Sequence, residues 1–200
     1  MTQLPELPLT LSRQEIRKMI RQRRRTLTPE QQQEMGQQAA TRMMTYPPVV
    51  MAHTVALFLS FDGELDTQPL IEQLWRAGKR VYLPVLHPFS AGNLLFLNYH
   101  PQSELVMNRL KIHEPKLDVR DVLPLSRLDV LITPLVAFDE YGQRLGMGGG
   151  FYDRTLQNWQ HYKMQPVGYA HDCQLVEKLP VEKWDIPLPA VVTPSKVWEW

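Results

Sequence analysis

Apolar positions along the chain fall into one helical stripe near the start and then into short blocks. Ile16, Met19 and Ile20, with Leu27 further on, share one side of a helical spiral. Arg13, Arg17, Arg21 and Arg24 line another side. Ser12, followed three positions later by Glu15, has the pattern of a capping box and predicts where this helix starts. Thr28-Pro29-Glu30-Gln31 predicts a second start, with Thr at the cap, Pro in the first turn and Gln as the return partner. That helix is expected to run to about Met44, where Tyr46-Pro47-Pro48 stops it.

Beyond this point the blocks have strand length. Residues 55–61 (VALFLSF) form an uninterrupted apolar run, as a strand covered on both faces requires. Asp62-Gly63 marks the turn after it. Thr67 is expected to cap a short helix through Ala77, with Gly78 ending it. Further strands are predicted over 79–85, 94–99, 128–134, 166–170 and 191–193, and a helix over 151–162. Pro84 argues against a central place for the 79–85 strand, and the turn over 88–92 suits pairing of 79–85 with 94–99. Short apolar strands alternating with helices imply a three-layer α/β/α, Rossmann-like domain with a mainly parallel or mixed sheet. No repeat or linker divides the 200 residues, so one domain over 1–200 is expected, with 1–11 as a loose N-terminal arm.

Charge and cysteine content narrow the classes. With 22 basic and 21 acidic side chains, the chain has no overall attraction for nucleic acid or an anionic membrane. The arginines of the first helix are a local exception; read alone they are a solvated basic face, and nucleic acid is not expected as a partner. Cys173 is the one cysteine, which excludes a disulfide scaffold. No signal peptide or membrane-spanning run is visible, so a cytoplasmic protein without a membrane partner is expected.

The strongest chemical signal is the segment from Gly142 to Asp153. Glycine occupies five of its first nine positions (142, 146, 148, 149 and 150). Such a loop accepts positive φ and leaves no Cβ between backbone and ligand, so successive N–H groups can cradle an anion. It follows a predicted strand and opens a predicted helix, which suits phosphate. It is neither a Walker A loop, lacking Gly-Lys-Ser/Thr, nor a dinucleotide fingerprint, since Phe151 stands where the third glycine would be. A flexible surface loop is the competing reading. Arg144 and Arg154 bracket the glycines at phosphate reach, and Asp153 is placed to hold Mg²⁺ or simply to stabilise the first helical turn. The scattered histidines give no zinc pattern, and Cys173 reads as a packing residue.

Asp139-x-x-Gly142-x-Arg144-Leu145-Gly146-x-Gly148-x-Gly150-Phe151-Tyr152-Asp153 resembles the signature of the 5-formyltetrahydrofolate cyclo-ligases, also called 5,10-methenyltetrahydrofolate synthetases. The resemblance extends to the arginine-rich first helix, Phe58-Leu59-Ser60 with Glu64, Ile112-x-Glu114-Pro115, and a tail of Leu179-Pro180, Asp185 and Val191-Val192-Thr193. It implies ATP-dependent cyclisation of 5-formyltetrahydrofolate, with or without a polyglutamate tail, to 5,10-methenyltetrahydrofolate, ADP and phosphate. It also implies Mg²⁺ and a monomer. A noncatalytic folate- or nucleotide-binding member of the fold is the alternative.

Carried over by position, the resemblance assigns ATP to Arg13, Arg17, Arg144 and the run Gly146, Met147, Gly148, Gly149, Gly150, Phe151, Tyr152 and Asp153. The folate falls to Glu64, Leu110, Phe151 and Tyr152, and Mg²⁺ to Asp153 and Asp185. Arg144, Tyr152 and Asp153 are the implied catalytic residues. The chain departs from the family pattern at Met147 and Gly149, where Arg or Lys is common, at Leu110, where an aromatic is common, and at Trp184, Pro189 and Pro194 in the tail.

Overall fold

The computed structural model describes residues 11–200. The arm expected over 1–11 lies, apart from Leu11, outside the described residues.

Two helices begin as their caps predict. In α1 (Arg13–Arg25), the Ser12 hydroxyl accepts from the Glu15 N–H while the Glu15 carboxylate accepts from the Ser12 N–H. In α2 (Pro29–Thr45), Thr28 and Gln31 do the same. The Tyr46-Pro47-Pro48 stop is also a start: the prolines occupy the first turn of α3 (Pro47–Met51), where their missing N–H groups cost nothing. In α4 (Gln68–Arg76), the Thr67 hydroxyl does not cap as expected. It turns inward to donate to the Phe58 carbonyl at 2.7 Å, and Asp66 Oδ1 accepts from the Gln68 N–H instead.

Among the described residues, eight strands form the main sheet. From one edge to the other they are Val197–Glu199, Ala190–Val192, Gln165–Tyr169, Val130–Thr133, Thr54–Ala56, Arg80–Leu86, Leu94–Tyr99 and Val122–Leu123. The middle five are parallel; Val197–Glu199 pairs antiparallel at one edge, and on the other side Leu94–Tyr99 pairs antiparallel with both of its neighbours. Strand alternation sorts the core. Val55, Val81, Val130 and Ile132 face α2, α3 and α4, while Ala56, Tyr82 and Leu131 face the opposite layer. That layer consists of a short helix, α5 (Phe151–Leu156), and loops. Beyond them α1 packs Ile16 and Ile20 on a small sheet of Ala137–Asp139, Arg144–Leu145 and Leu175–Val176.

Four expectations are corrected. The 55–61 run is paired only over Thr54–Ala56; its remainder leaves the sheet to wall a cavity. Arg80–Leu86 is paired on both sides despite Pro84, because its parallel neighbour ends at the register Ala56 to Tyr82, before the proline is reached. The helix expected over 151–162 stops at Leu156; Gln157 leaves the helical region with ψ 124° and Asn158 takes φ 64° before a 3₁₀ turn. Leu27 lies beyond the end of α1 rather than on its apolar stripe.

Gly168 sits where the layers meet most closely. A Cβ there would lie 2.8 Å from both Leu135 Cδ2 and Val191 Cγ2 and 2.9 Å from Leu188 Cδ1. Gly168→Ala is therefore expected to destabilise the fold by about 1–3 kcal/mol, read as a lowered urea midpoint. An unchanged midpoint would show that these neighbours yield freely. No helix among the described residues is long and apolar enough to cross a membrane.

Candidate active site

The parallel strands release their chains on one side of the sheet, and the segments that follow them enclose a cavity of about 710 Å³. Phe58 and Leu59 follow Thr54–Ala56, and Pro134 and Leu135 follow Val130–Thr133. The carboxyl ends of parallel strands are where open α/β sheets bind ligands, and this volume suits small molecules. Every position that the resemblance assigns to ATP, folate or Mg²⁺ lines the cavity except Asp185, and Arg154, expected at phosphate reach, does not line it.

The glycine loop forms one wall. Gly148 and Gly150 take φ of 105° and 71°, conformations that favour glycine, and Gly150 opens α5. Its carbonyls are turned onto arginines: Gly146 O accepts from Arg17 Nε at 2.7 Å, and Gly149 O from Arg154 Nη2. Among the described residues, no backbone N–H from Gly146 to Gly150 has a protein acceptor. Five consecutive free donors, with the Gly146, Gly149 and Gly150 carbonyls engaged elsewhere, can form an anion cradle. Arg154, expected to reach phosphate, also donates to Gly92 O at 2.6 Å and lies over the Phe151 ring. It braces the loop from outside.

Arg144 is nearly buried behind the loop. Its Nη2 donates to Asp153 Oδ1 at 3.1 Å and its Nη1 to Pro134 O at 3.3 Å, while Nε has no partner among the described residues. Asp153 Oδ1 also accepts from the Ile186 N–H at 3.2 Å. Asp153 Oδ2 has no hydrogen-bond partner among the described residues. Arg13 reaches the cavity from α1, and its guanidinium grips Asp185 with both terminal nitrogens, at 2.5 and 3.0 Å. Asp185 Oδ2 further accepts from the Glu182 N–H. The aspartate expected beside Asp153 as a metal ligand thus has both oxygens engaged and anchors Arg13. Among the described residues, no group of three His, Cys, Asp or Glu side chains is arranged for a metal. Cys173 is half-buried, and burial pushes its thiol up, away from reactivity.

Glu64 occupies another wall. It ends a turn in which its N–H donates to Phe61 O at 3.0 Å and its Oε2 accepts from the Phe61 N–H at 3.0 Å. Burial pushes its carboxyl up to about 7, against the opposing pull of the Phe61 N–H and Arg24. Tyr152 lines the cavity as well; burial and then the charge of Glu64 push its phenol up, so it stays a neutral donor. Leu110 is at the rim, on the tip of a hairpin between Leu105–Met107 and His113–Pro115. Asn108 shapes that tip by accepting from the Leu110 and Ile112 N–H groups.

Sequence reasoning assigned no role to Glu114, which locks the hairpin to the sheet. Its Oε2 accepts from the Leu86 N–H at 3.1 Å and from Asn108 Nδ2 at 2.9 Å. The only available signal was its presence in Ile112-x-Glu114-Pro115. The wider basic face of α1 also differs from expectation. Arg21 and Arg25 donate to Asp62 from partly exposed positions, and Arg24 does so from a buried one. Burial works against ionisation of Asp62, but the hydrogen bonds from Arg25 and Arg21 outweigh it and hold the carboxyl below its ordinary value.

Comparison with known proteins agrees with this geometry. The model of the 5-formyltetrahydrofolate cyclo-ligase family matches residues 10–194. A 5-formyltetrahydrofolate cyclo-ligase of Escherichia coli (strain K12) is 98% identical over 182 residues, covering 91% of this chain and 100% of that protein. The Haemophilus influenzae protein of the same name is 54% identical over 179 residues, covering 90% and 96%. The solved 5,10-methenyltetrahydrofolate synthetase of Aquifex aeolicus superposes with a TM-score of 0.80 at 28% identity, covering 94% of this chain and 93% of that one. A match running through the glycine loop, the arginine helix and Glu64 accounts for the cavity these segments build together, and the chain belongs to the 5-formyltetrahydrofolate cyclo-ligase family.

Proposed function

We propose that the protein is an ATP-dependent 5-formyltetrahydrofolate cyclo-ligase whose two substrates meet in the cavity between Glu64 and the glycine loop. The observation that carries this is the joining of two unlike walls in one space. A carboxylate on one side accepts paired hydrogen bonds from the donor edge of a pterin. Five free N–H groups with Arg13, Arg17 and Arg144 on the other side accept a triphosphate. The noncatalytic alternative would keep Glu64 and the glycine cradle but lack the metal or cation function that turnover needs.

The chemistry follows from what a formamide lacks. Its oxygen is a poor leaving group, so N10 of the folate cannot displace it unaided. In the proposed sequence the formyl oxygen attacks the γ-phosphorus and ADP departs. N10 then adds to the activated carbon and loses its proton, and phosphate leaves with the former formyl oxygen. The protein's task is positioning and charge stabilisation. Arg144 and the loop N–H groups face charge that develops on the transferring phosphoryl group. Tyr152 offers a neutral hydroxyl, and Phe151 and Leu110 supply apolar surface for the folate.

The residues fit one Mg²⁺ shared with phosphate oxygens. Asp153 has one oxygen fixed by Arg144 and the Ile186 N–H and the other unpaired, and Mg²⁺ commonly takes one or two carboxylates beside phosphates. Asp185 would join only by releasing Arg13. Bound there, the ion supplies neutralising charge for the phosphates. A polyglutamate tail would run past Lys111 in a neighbouring pocket that shares Leu59, Phe61, Ile112 and His113 with the main cavity. The proposal extends to a cytoplasmic monomer.

The direct test mixes purified protein with 5-formyltetrahydrofolate, ATP and Mg²⁺ and follows the methenyl chromophore together with ADP. One ADP per methenyl product, and no product without ATP, is the expected result. Folate and ATP binding without product would favour the noncatalytic alternative.

A further inference from the structure

Glu64 is carried on a turn that the rest of the molecule holds in an unusual way. Its two central residues, Asp62 and Gly63, have φ of 53° and 75°. This is the φ pattern of a type I′ turn, closed by the Glu64 N–H on Phe61 O. Asp62 is not glycine, so its left-handed backbone carries a steric cost that something must offset.

Arg24 supplies the hold. It lies on α1 with only 1% of its surface exposed, among the largest fully buried side chains of the protein. Its Nε donates to the Asp62 carbonyl at 3.0 Å and its Nη2 approaches Asp62 Oδ2 at 3.4 Å. One planar guanidinium therefore holds both the backbone and the side chain of the strained residue. Two further groups fix the next carbonyl: Gly63 O accepts from Gln32 Nε2 at 3.2 Å and lies 3.2 Å from His171 Nε2. Among the described residues, Arg24 Nη1 and His171 Nδ1 are buried without partners. A buried cation with an unsatisfied donor costs stability, and an apolar side chain would fill the space better. Packing alone does not explain an arginine here.

We propose that Arg24 is a positioning residue for the folate side of the site, locking the 61–64 turn so that Glu64 is aimed into the cavity. This rests on the reading of Glu64 as the pterin-binding carboxylate. The groups facing Glu64 are Arg24, which favours its ionised form, and Asp62, which disfavours it. The Tyr152 phenol and the His171 imidazole are also close, and burial holds the imidazole down at about 4 and therefore neutral. Arg24 is the cation that favours ionisation of Glu64 from behind.

The test compares Arg24→Lys, Arg24→Met and Glu64→Gln in the full chain. Both KM values, kcat and the pH dependence of folate binding are measured, with urea melts as a check on folding. Both Arg24 variants are expected to raise the folate KM at least tenfold while the ATP KM stays within twofold. Arg24→Met, which removes the cation, should also move the pH midpoint of folate binding upward; Arg24→Lys should leave it near the parent value. An unchanged folate KM in the folded Arg24 variants, or a parallel rise in both KM values, would overturn the proposal. If Arg24→Met does not fold, the KM split in Arg24→Lys decides. Glu64→Gln separates the two readings: if it leaves folate binding intact, the role of Glu64 fails. If it weakens binding while Arg24→Lys does not, only the role of Arg24 fails.

Discussion

Asp153→Asn is expected to lower kcat by about a thousandfold, with a smaller change in folate KM, because the side chain serves the transferring phosphoryl group and not the folate. Fixed charges and donors aimed at developing charge are commonly worth factors of about 10²–10³ in rate. Asn keeps an oxygen for the Ile186 N–H but loses the negative charge that balances Arg144. Arg144 is 5% exposed, so an unbalanced cation there is also destabilising, and the melting temperature should fall with the rate. Arg144→Lys gives a complementary reading. It keeps the charge but cannot reach Asp153 and Pro134 O with the same planar fork, so kcat should drop strongly while folding is largely retained. Steady-state kinetics by methenyl absorbance at saturating ATP and Mg²⁺ checks both variants. Full activity in either would remove that residue from the phosphoryl-transfer machinery.

Glu64→Gln is expected to raise the folate KM by about 10²-fold and to abolish its pH dependence, since truncating a charged hydrogen-bond partner in a buried site costs roughly 2–5 kcal/mol. In the free protein the Glu64 carboxyl titrates near 7 because burial disfavours its charge. A pterin presenting two N–H donors selects the ionised form, so binding below that pH releases a proton. Folate affinity should therefore rise with pH up to about 7 and level off above it. Stability runs the other way. Between the ordinary glutamate value of 4.5 and about 7, the folded protein holds a proton that the unfolded chain has lost. The ligand-free fold should thus lose stability as pH rises through that window. Glu64→Gln should flatten both profiles. A folate KM that stays pH-independent in the parent protein would contradict the assignment.

The sequence was most informative where a local rule decides the structure. Ser12 with Glu15 and Thr28 with Gln31 specify helix starts through contacts three residues apart, and both form as read. The glycine loop was legible for the same reason, since its backbone freedom is a property of the residues themselves. Other features depended on distant partners. The 55–61 run looks like one strand, but pairing ends at Ala56 and the apolar side chains beyond it serve a cavity instead of a neighbouring strand. The small sheet is built from strands of two or three residues, too short to show alternation. Arg21, Arg24 and Arg25 read as a solvated face because their partner, Asp62, lies about forty positions away in sequence. Asp185 shows the converse: the family pattern marked the position, while its bidentate pairing with Arg13 required the fold.

The central claim is that the formyl oxygen of the folate attacks ATP directly within one cavity. Substrate carrying ¹⁸O in the formyl group tests it, with a single turnover run in the presence of ATP and Mg²⁺ and the inorganic phosphate analysed by mass. One ¹⁸O is expected in each phosphate released. Phosphate without the label, formed alongside methenyl product, would contradict it.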